Sequence, residues 1–533
     1  MAETPSLSSM QLTRPELAVF VSGVASMGLE ILAGRLIAPE FGSSIYTWGS
    51  IIGVFLAALS LGYYRGGKQA AVRASNPRLA RLFVATAFYV AGLILFGELM
   101  LQSLAGIPLP SRFASLPAIT VLFGPPTYLL GFVSPYAAEL SDQTNVGAAS
   151  GHVYAVGTIG SIVGAFATTF FLIPTLSVAE IGLIFGLLSV VTALALLRPN
   201  IGGDEAVWSI AVTILLVAGA VTGGIGLDTA GNSVYHTQTA YQELRVVDSG
   251  GTRTLYLDGQ PHSAMDLDQP TRHVFDYTSH FHTPFLYSED VERVLFVGGG
   301  GFTGPRVFLE TYPNVTVDVV EIDPEVVSTA KQYFAIEESD RLNIYTMDGR
   351  RYLEETDETY DVIVLDAYRK DKVPFELTTV EFMQLTADRL DEDGVLVANV
   401  ISAPSGPASQ FYRAEYKTIQ QVYPQVYSFP TVGGVVVQNI EVVATKDSTL
   451  VTSEELQARN ERRDIGIDLS SEISSYRNSE PTDDVPILRD DRAPVDSLLD
   501  PMVGQRYVIA RSNETDTNTS GSNTTLIRPV QFG

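Results

Sequence analysis

Cysteine is absent from all 533 residues. Its absence excludes disulfides, thiolate zinc sites and a cysteine nucleophile. Histidine is scarce, at 6 residues. The spacing of His273, His280 and His282 fits no standard zinc pattern, so no metal is expected. A basic domain is missing as well. Lys and Arg number 34 against 60 Asp and Glu, for a formal net charge of −26. That balance argues against nucleic acid as a partner. Lysine is sparse beside arginine, which suits a salt-adapted acidic surface; attraction of a cationic substrate is the alternative use of the acid.

What is present is unevenly divided. Mean hydropathy is positive, +0.17, although the chain is strongly acidic. Residues 1–228 hold 11 acidic and 9 basic side chains, and residues 229–533 hold 49 and 25. The first part is therefore apolar and nearly neutral, and the second is soluble in character. Apolar segments recur at 17–38, 48–64, 82–104, 118–138, 153–172, 178–197 and 207–227, most near the ~20 residues a helix needs to cross a bilayer. About seven spans follow, with the lipid bilayer as partner and a multi-pass cell-membrane location. Pro125, Pro126 and Pro135 predict that the fourth is broken or re-entrant. Glu30 and Arg35 inside the first span mark either function or a structural ion pair. Gly160 and Gly164 let helix backbones approach closely.

Orientation signals diverge. Arg65, Lys68, Arg73, Arg78 and Arg81 place the loop after the second span in the cytoplasm. Seven full crossings then put the soluble part outside, as sequons at Asn513, Asn518 and Asn523 would suit. A nucleoside cofactor argues for the cytoplasm, and an incomplete fourth crossing reconciles the count with it. The cytoplasmic side is the expectation adopted.

Beyond a boundary near 227–233, residues 241–247 and 254–257 read as strands around a Gly250-Gly251 turn. They open a small β unit, 229–290. From 291 to 447, strands alternate with helices, which implies right-handed crossovers and a doubly wound parallel α/β sheet. Residues 432–437 and 441–444 predict a closing hairpin. Residues 448–533 read as an acidic, partly disordered C-terminal region. Within the α/β domain each apolar strand ends on glycines or a carboxylate. Val294-Leu-Phe-Val runs into Gly298–Gly301, the strand at 315–320 ends on Glu321, and Val362-Ile-Val-Leu ends on Asp366. Gly299-x-Gly301-x-x-Gly304, with an acid at the next strand end, lets backbone approach a nucleoside while the acid accepts from two ribose hydroxyls.

Several motifs narrow that site. Val294-Leu-Phe-Val-Gly-Gly-Gly, Val320-Glu-Ile-Asp-Pro, Met347-Asp-Gly-Arg-Arg-Tyr-Leu and Tyr360-Asp-Val-Ile-Val-Leu-Asp resemble the spermidine synthase (polyamine aminopropyltransferase) family. Tyr241-Gln-Glu-Leu and Leu257-Asp-Gly resemble its N-terminal β unit. Leu29-Glu-Ile-Leu-Ala-Gly-Arg-Leu-Ile-Ala-Pro and Asp490-Asp-Arg-Ala-Pro-Val-Asp are similar to its membrane-fused branch. The resemblance implies a methyltransferase-like sheet preceded by a small β domain. It also implies transfer of an aminopropyl group from decarboxylated S-adenosylmethionine to an amine acceptor. Gly298, Gly299 and Gly300 would border the cofactor, Glu321 would hold the ribose and Asp348 the adenine amine. Gly349 would give backbone room, and Gln242 would also touch the cofactor. Asp366 would orient and deprotonate the attacking amine, because an ammonium has no lone pair. Tyr368 and His273 would contact the acceptor. A homodimer is a further expectation.

Three positions depart from the family pattern. Gly301 stands where an acid would grip the donor's amine. Arg369, followed by Lys370, stands where a second acid is usual. The acceptor motif is reduced to Arg272-His273-Val274. The adenosyl half thus reads as kept and the amine half as rebuilt, since a cation beside a cationic diamine is unfavourable where water is excluded. S-adenosylmethionine with methyl transfer, a non-catalytic nucleoside or polyamine sensor or transporter, and an NAD-dependent oxidoreductase are the alternatives.

Overall fold

The computed structural model describes residues 13–41, 45–105, 107, 109, 111–141, 146–199, 202–222, 231–337, 339–370, 373–503 and 505–512. The boundary stretch 223–230 and the three sequons lie outside them. The chain forms two compact units, Met1–Asp228 and Thr229–Gly533.

The first unit is helical: α1 (Arg14–Phe41), α2 (Ile45–Arg73), α3 (Asn76–Ala105), α4 (Ser115–Gly131), α5 (Val133–Glu139), α6 (Val146–Ala167), α7 (Val178–Leu197) and α8 (Gly203–Thr222). Among the described residues, seven helical stretches are long and apolar enough to cross a membrane. The proline-bearing stretch is among them: Pro125 and Pro126 are taken up inside α4, and α4 with α5 spans Ser115–Glu139. α1 has the most buried apolar stretch of the seven. It meets α6 through glycines, because a Cβ on Gly160 would fall on the Phe20 carbonyl oxygen and one on Gly164 on that of Val24. Small residues are what allow backbones this close. Glu16 of α1 pairs with His152 of α6 at 3.0 Å. α7 starts on a reciprocal cap, in which the Glu180 N–H donates to Ser177 Oγ (3.2 Å) and the Ser177 N–H to Glu180 Oε2 (2.8 Å). Such a pairing satisfies two otherwise orphaned donors.

The second unit opens with an antiparallel meander of four strands in sequence order: β1 (Asn232–Gln238), β2 (Glu243–Ser249), β3 (Thr252–Leu257) and β4 (Gln260–Asp266). Only β2 and β3 are predicted from the sequence. Both tight turns use positive φ: Gly250-Gly251 (+57°, +77°) and Asp258-Gly259 (+48°, +76°). That conformation matches the strand twist of a two-residue hairpin. Asp258-Gly259 therefore turns the chain into β4 rather than closing the unit.

A 3-10 segment, Asp276–Leu286, leads into the main sheet of β5 (Arg293–Val297), β6 (Thr316–Glu321), β7 (Leu342–Thr346), β8 (Tyr360–Leu365), β9 (Leu390–Ser402), β10 (Gln425–Pro430) and β11 (Gln438–Thr445). The helices of this unit are α9 (Thr303–Thr311), α10 (Pro324–Tyr333), α11 (Gly349–Glu355), α12 (Val380–Arg389), α13 (Gln410–Ile419), α14 (Ser453–Arg462), α15 (Ser470–Ile473) and α16 (Val495–Leu499). Strand order is β10-β11-β9-β8-β5-β6-β7, with β5 to β9 parallel and the closing hairpin antiparallel. The chain winds outward from β5 to β7, then returns to the other side of β5 as β8. The crevice between β5 and β8 is thus the switch point where such sheets bind ligands.

One expectation is corrected here. The closing hairpin pairs Gln425–Pro430 with Gln438–Thr445, and 432–437 forms its connection. The polar stretch after 448 is folded as far as it is described: Leu456, Ile465, Leu469 and Ile473 join the core, and Leu488, Val495 and Met502 pack on the opposite face of the sheet. Its apolar residues are spaced too widely to read as a core when scanned locally, but each fills a place against the completed sheet.

Candidate active site

The glycine loop follows β5 because the crevice leaves no room for side chains. Gly298 has φ +98°, and a Cβ there would sit 2.5 Å from the Asp366 carbonyl oxygen. Gly300 also has positive φ, and Phe302, at +55°, starts α9. Glu321 ends β6 beside this loop. Its Oε2 accepts from the N–H of Gly299 (2.9 Å) and Gly300 (3.4 Å), and its Oε1 from that of Asp323 (3.0 Å). Burial raises its pKa, opposed by those three N–H donors, with Asp323 adding a smaller raising effect. Asp348 lies just past β7 and caps α11, its Oδ1 accepting the Arg351 N–H at 2.9 Å. Gly349 packs so closely that a Cβ would meet Val297 Cγ1 at 2.5 Å. Ile322, 43% exposed, offers an apolar surface next to Glu321. A glycine cradle, a strand-end carboxylate and an exposed apolar side chain together fit an adenosyl group.

Gly301 has a steric reason of its own. A Cβ there would lie 2.7 Å from Ser263 Cβ, and the Gly301 N–H donates to Ser263 Oγ at 2.8 Å. Strand β4 of the meander thus occupies the space a donor-gripping acid would need.

Asp366 stands at the end of β8 on the wall of a cavity also lined by Gly300, Tyr277, Tyr368, Asn399, Asn439 and Tyr507. Burial pushes its carboxyl up to about 7; the Asn399 amide, donating to Oδ1 at 2.7 Å, pulls it down, and Glu321 adds a smaller upward effect. Asn399 in turn accepts from Asn439 Nδ2 at 2.8 Å. None of Asn399, Asn439 and Tyr507 was marked by the sequence motifs. Asn399 lies one residue beyond the point where β9 pairs with the end of β8, so only the register reveals its place.

Arg369 and Lys370 also line the cavity. Arg369 is ion-paired to Asp258 of the β3–β4 turn at 2.8 Å and lies 3.4 Å from Gln242 Oε1. The positive φ of Asp258 is what aims that turn at the site. Gln242 therefore meets the site through Arg369. His262, at the same wall, is pushed down to about 3, first by burial and then by the Arg369 charge, so its imidazole is neutral.

The two expected acceptor residues differ in placement. Tyr368 lines the cavity, but its hydroxyl is taken up by the Leu377 carbonyl oxygen (2.7 Å) and Glu415 Oε1 (3.1 Å). His273 does not line the cavity. It bonds Thr278 Oγ1 at 2.7 Å and His282 Nε2 at 3.1 Å, inside a packed aromatic cluster. The turn after β4 directs Arg272 to Asp266 (2.7 Å).

Comparison with known proteins identifies the family. A family model described as "Spermine/spermidine synthase domain" matches residues 276–448. The polyamine aminopropyltransferase of Vibrio vulnificus is 30% identical over 204 residues, covering 37% of this chain and 67% of that protein. The chain belongs to the spermidine synthase family. It is a transferase by that membership. Polyamine aminopropyltransferase 2 of Aquifex aeolicus is 22% identical over 453 residues, covering 79% of this chain and 86% of its own. That span exceeds the second unit, so the likeness to this family member runs into the helical unit. A crystal structure of spermidine synthase in complex with the transition state analogue AdoDATO aligns with a TM-score of 0.38 and 20% identity, over 49% of this chain and 88% of that one.

Proposed function

We propose that this protein is a membrane-bound aminopropyltransferase that uses decarboxylated S-adenosylmethionine and an amine acceptor. The observation that carries the reading is Asp366, a partly buried carboxyl on the cavity wall beside the glycine loop, pushed by burial to about 7. A base of that strength accepts a proton at neutral pH without holding it too tightly to give up.

Glu321 would hold the ribose hydroxyls, Gly298 to Gly300 would admit the backbone edge of the donor, and Asp348 with Gly349 would border the adenine. The donor supplies an electrophilic carbon next to a sulfonium, whose C–S bond breaks with its electron pair leaving on sulfur. Asp366 takes the proton from the acceptor ammonium, so that the nitrogen lone pair is available to form the new C–N bond. The buried wall of Tyr277, Tyr368 and Ile401 limits water at that point. Arg369 and Lys370 stand on the acceptor side, which favours an amine whose far end is neutral or anionic over a diamine. Gly301, hemmed in by Ser263, offers no acid to a donor's free amine, and this supports S-adenosylmethionine with methyl transfer as the second reading. The seven apolar helices support multi-pass attachment. A cytoplasmic second unit follows if the Pro125–Pro126 stretch does not cross.

The test incubates purified protein with each donor and a panel of diamines, monoamines and amino acids. Methylthioadenosine marks aminopropyl transfer and S-adenosylhomocysteine marks methyl transfer, both read by mass spectrometry. Donor binding without turnover, unchanged in Asp366→Asn, would replace the enzyme reading by a sensor. Labelling of a cysteine engineered near residue 515 by an impermeant reagent in intact cells would defeat the cytoplasmic assignment.

A further inference from the structure

Part of the cavity wall comes from a segment far from it in sequence. Residues 505–512 lie against the connection of the closing hairpin and against the 3-10 segment. Val508 N–H donates to the Val437 carbonyl at 2.9 Å, Asp276 N–H to that of Ala510 at 3.0 Å, and Ser512 N–H to that of Val274 at 3.1 Å. The Lys370 ammonium donates to the Gln505 carbonyl. This docking brings Tyr507 to the cavity wall.

There the Tyr507 hydroxyl donates to Asn439 Oδ1 at 2.7 Å, Asn439 Nδ2 donates to Asn399 Oδ1 at 2.8 Å, and Asn399 Nδ2 donates to Asp366 Oδ1 at 2.7 Å. The direction is fixed at the far end, since an ionised carboxylate only accepts. Every donor in the column therefore points toward Asp366, and aligned hydrogen bonds of this kind polarise one another. The other groups facing Asp366 oppose its charge or are neutral: Glu321 from β6, Glu441 from β11 and Tyr277 from the 3-10 segment. On its own loop, Arg369 is paired to Asp258 and Lys370 to the Gln505 carbonyl.

We propose that the strap 505–512 is a working part of the acceptor half of the site, and that Tyr507 is a positioning residue for Asp366, acting through Asn439 and Asn399. This rests on the reading of Asp366 as the base. With Tyr507 removed, Asn439 Oδ1 loses its donor and the amide is free to turn, and the loss passes along the column to Asp366. A fold-only role for the strap would leave the titration of Asp366 alone.

The test uses the full chain in detergent and the variants Tyr507→Phe, Asn439→Leu and both together. Two readouts are taken: the acid limb of kcat/KM against pH, and the infrared carboxyl band of Asp366, identified by its absence in Asp366→Asn. The expected result is an upward move of both by roughly half a pH unit in Tyr507→Phe and roughly one in Asn439→Leu. The double variant moves no further than Asn439→Leu, because both act through one column. Binding of methylthioadenosine, by calorimetry, stays within about twofold of the parent. An unmoved infrared titration in Tyr507→Phe, or shifts that simply add, overturns the proposal. Absence of turnover with every amine removes the enzyme reading alone, since the infrared titration still reports on the column.

Discussion

Replacing Asp366 by Asn removes one charge with almost no change of volume, and the substituted amide oxygen can still accept from Asn399. The carboxyl is held at about 7 against an ordinary 3.8, chiefly by burial. That difference corresponds to roughly 4 kcal/mol for keeping the group ionised. Because one side of Asp366 faces the cavity, about half of it is a fair expectation for the stability effect, ~2 kcal/mol. The sign follows from linkage. The folded chain binds this proton more tightly than the unfolded chain, so the carboxylate carries no penalty below about pH 4, a growing one up to about pH 7, and its full penalty above. Asp366→Asn should therefore melt with the parent near pH 4 and about 4 °C higher at pH 8, for a unit of this size. Turnover should fall by roughly 10²- to 10⁴-fold. Both tryptophans, Trp48 and Trp208, lie in the first unit, so tryptophan fluorescence follows the wrong half of the molecule. Differential scanning calorimetry of the full chain in detergent, at the two pH values, is the suitable assay. Equal melting of variant and parent at pH 8, or full turnover in the variant, would refute the reasoning.

Glu321→Gln weakens the carboxylate that gathers the Gly299 and Gly300 N–H groups, and methylthioadenosine affinity should fall roughly 10- to 100-fold by calorimetry. Glu441 is fully buried on β11, with both carboxylate oxygens lacking hydrogen-bond partners. Glu441→Leu should accordingly stabilise the protein by roughly 1–3 kcal/mol at neutral pH, and a lower melting temperature would reveal a partner for the acid. In the helical unit, Gly160→Leu should lower the stability by at least about 2 kcal/mol, seen as loss of monodisperse protein in detergent, because its side chain would enter α1. Gly151→Ala on the same helix has open space around it and should be silent.

The outline of the molecule was readable because it rests on local patterns. Seven runs of apolar residues, each near bilayer length, mark the helical unit whatever their packing partners. Alternating strands and helices imply the parallel sheet, and the carboxylates at Glu321 and Asp366 are legible because each stands at the end of its strand. Gly301 was legible as a departure, but its cause was not: the obstructing Ser263 sits on β4, 38 residues earlier in the chain. His273 was misplaced for a related reason, since a short local motif does not state which way the chain turns after β4.

What the sequence alone determined was therefore the inventory and order of elements, the membrane-length helices, and a glycine loop followed by two strand-end acids. Only the tertiary structure decided the acceptor half of the site. Asn399 and Asn439 come from neighbouring strands, Asp258 from the meander's turn, and Tyr507 from a strap about 140 residues beyond Asp366. The physical reason is range. Backbone propensity and apolar periodicity act over a few residues and leave a repeat in the sequence, whereas a polar column across β9, β11 and the strap arises only when distant segments share a low-dielectric wall and must satisfy one another there.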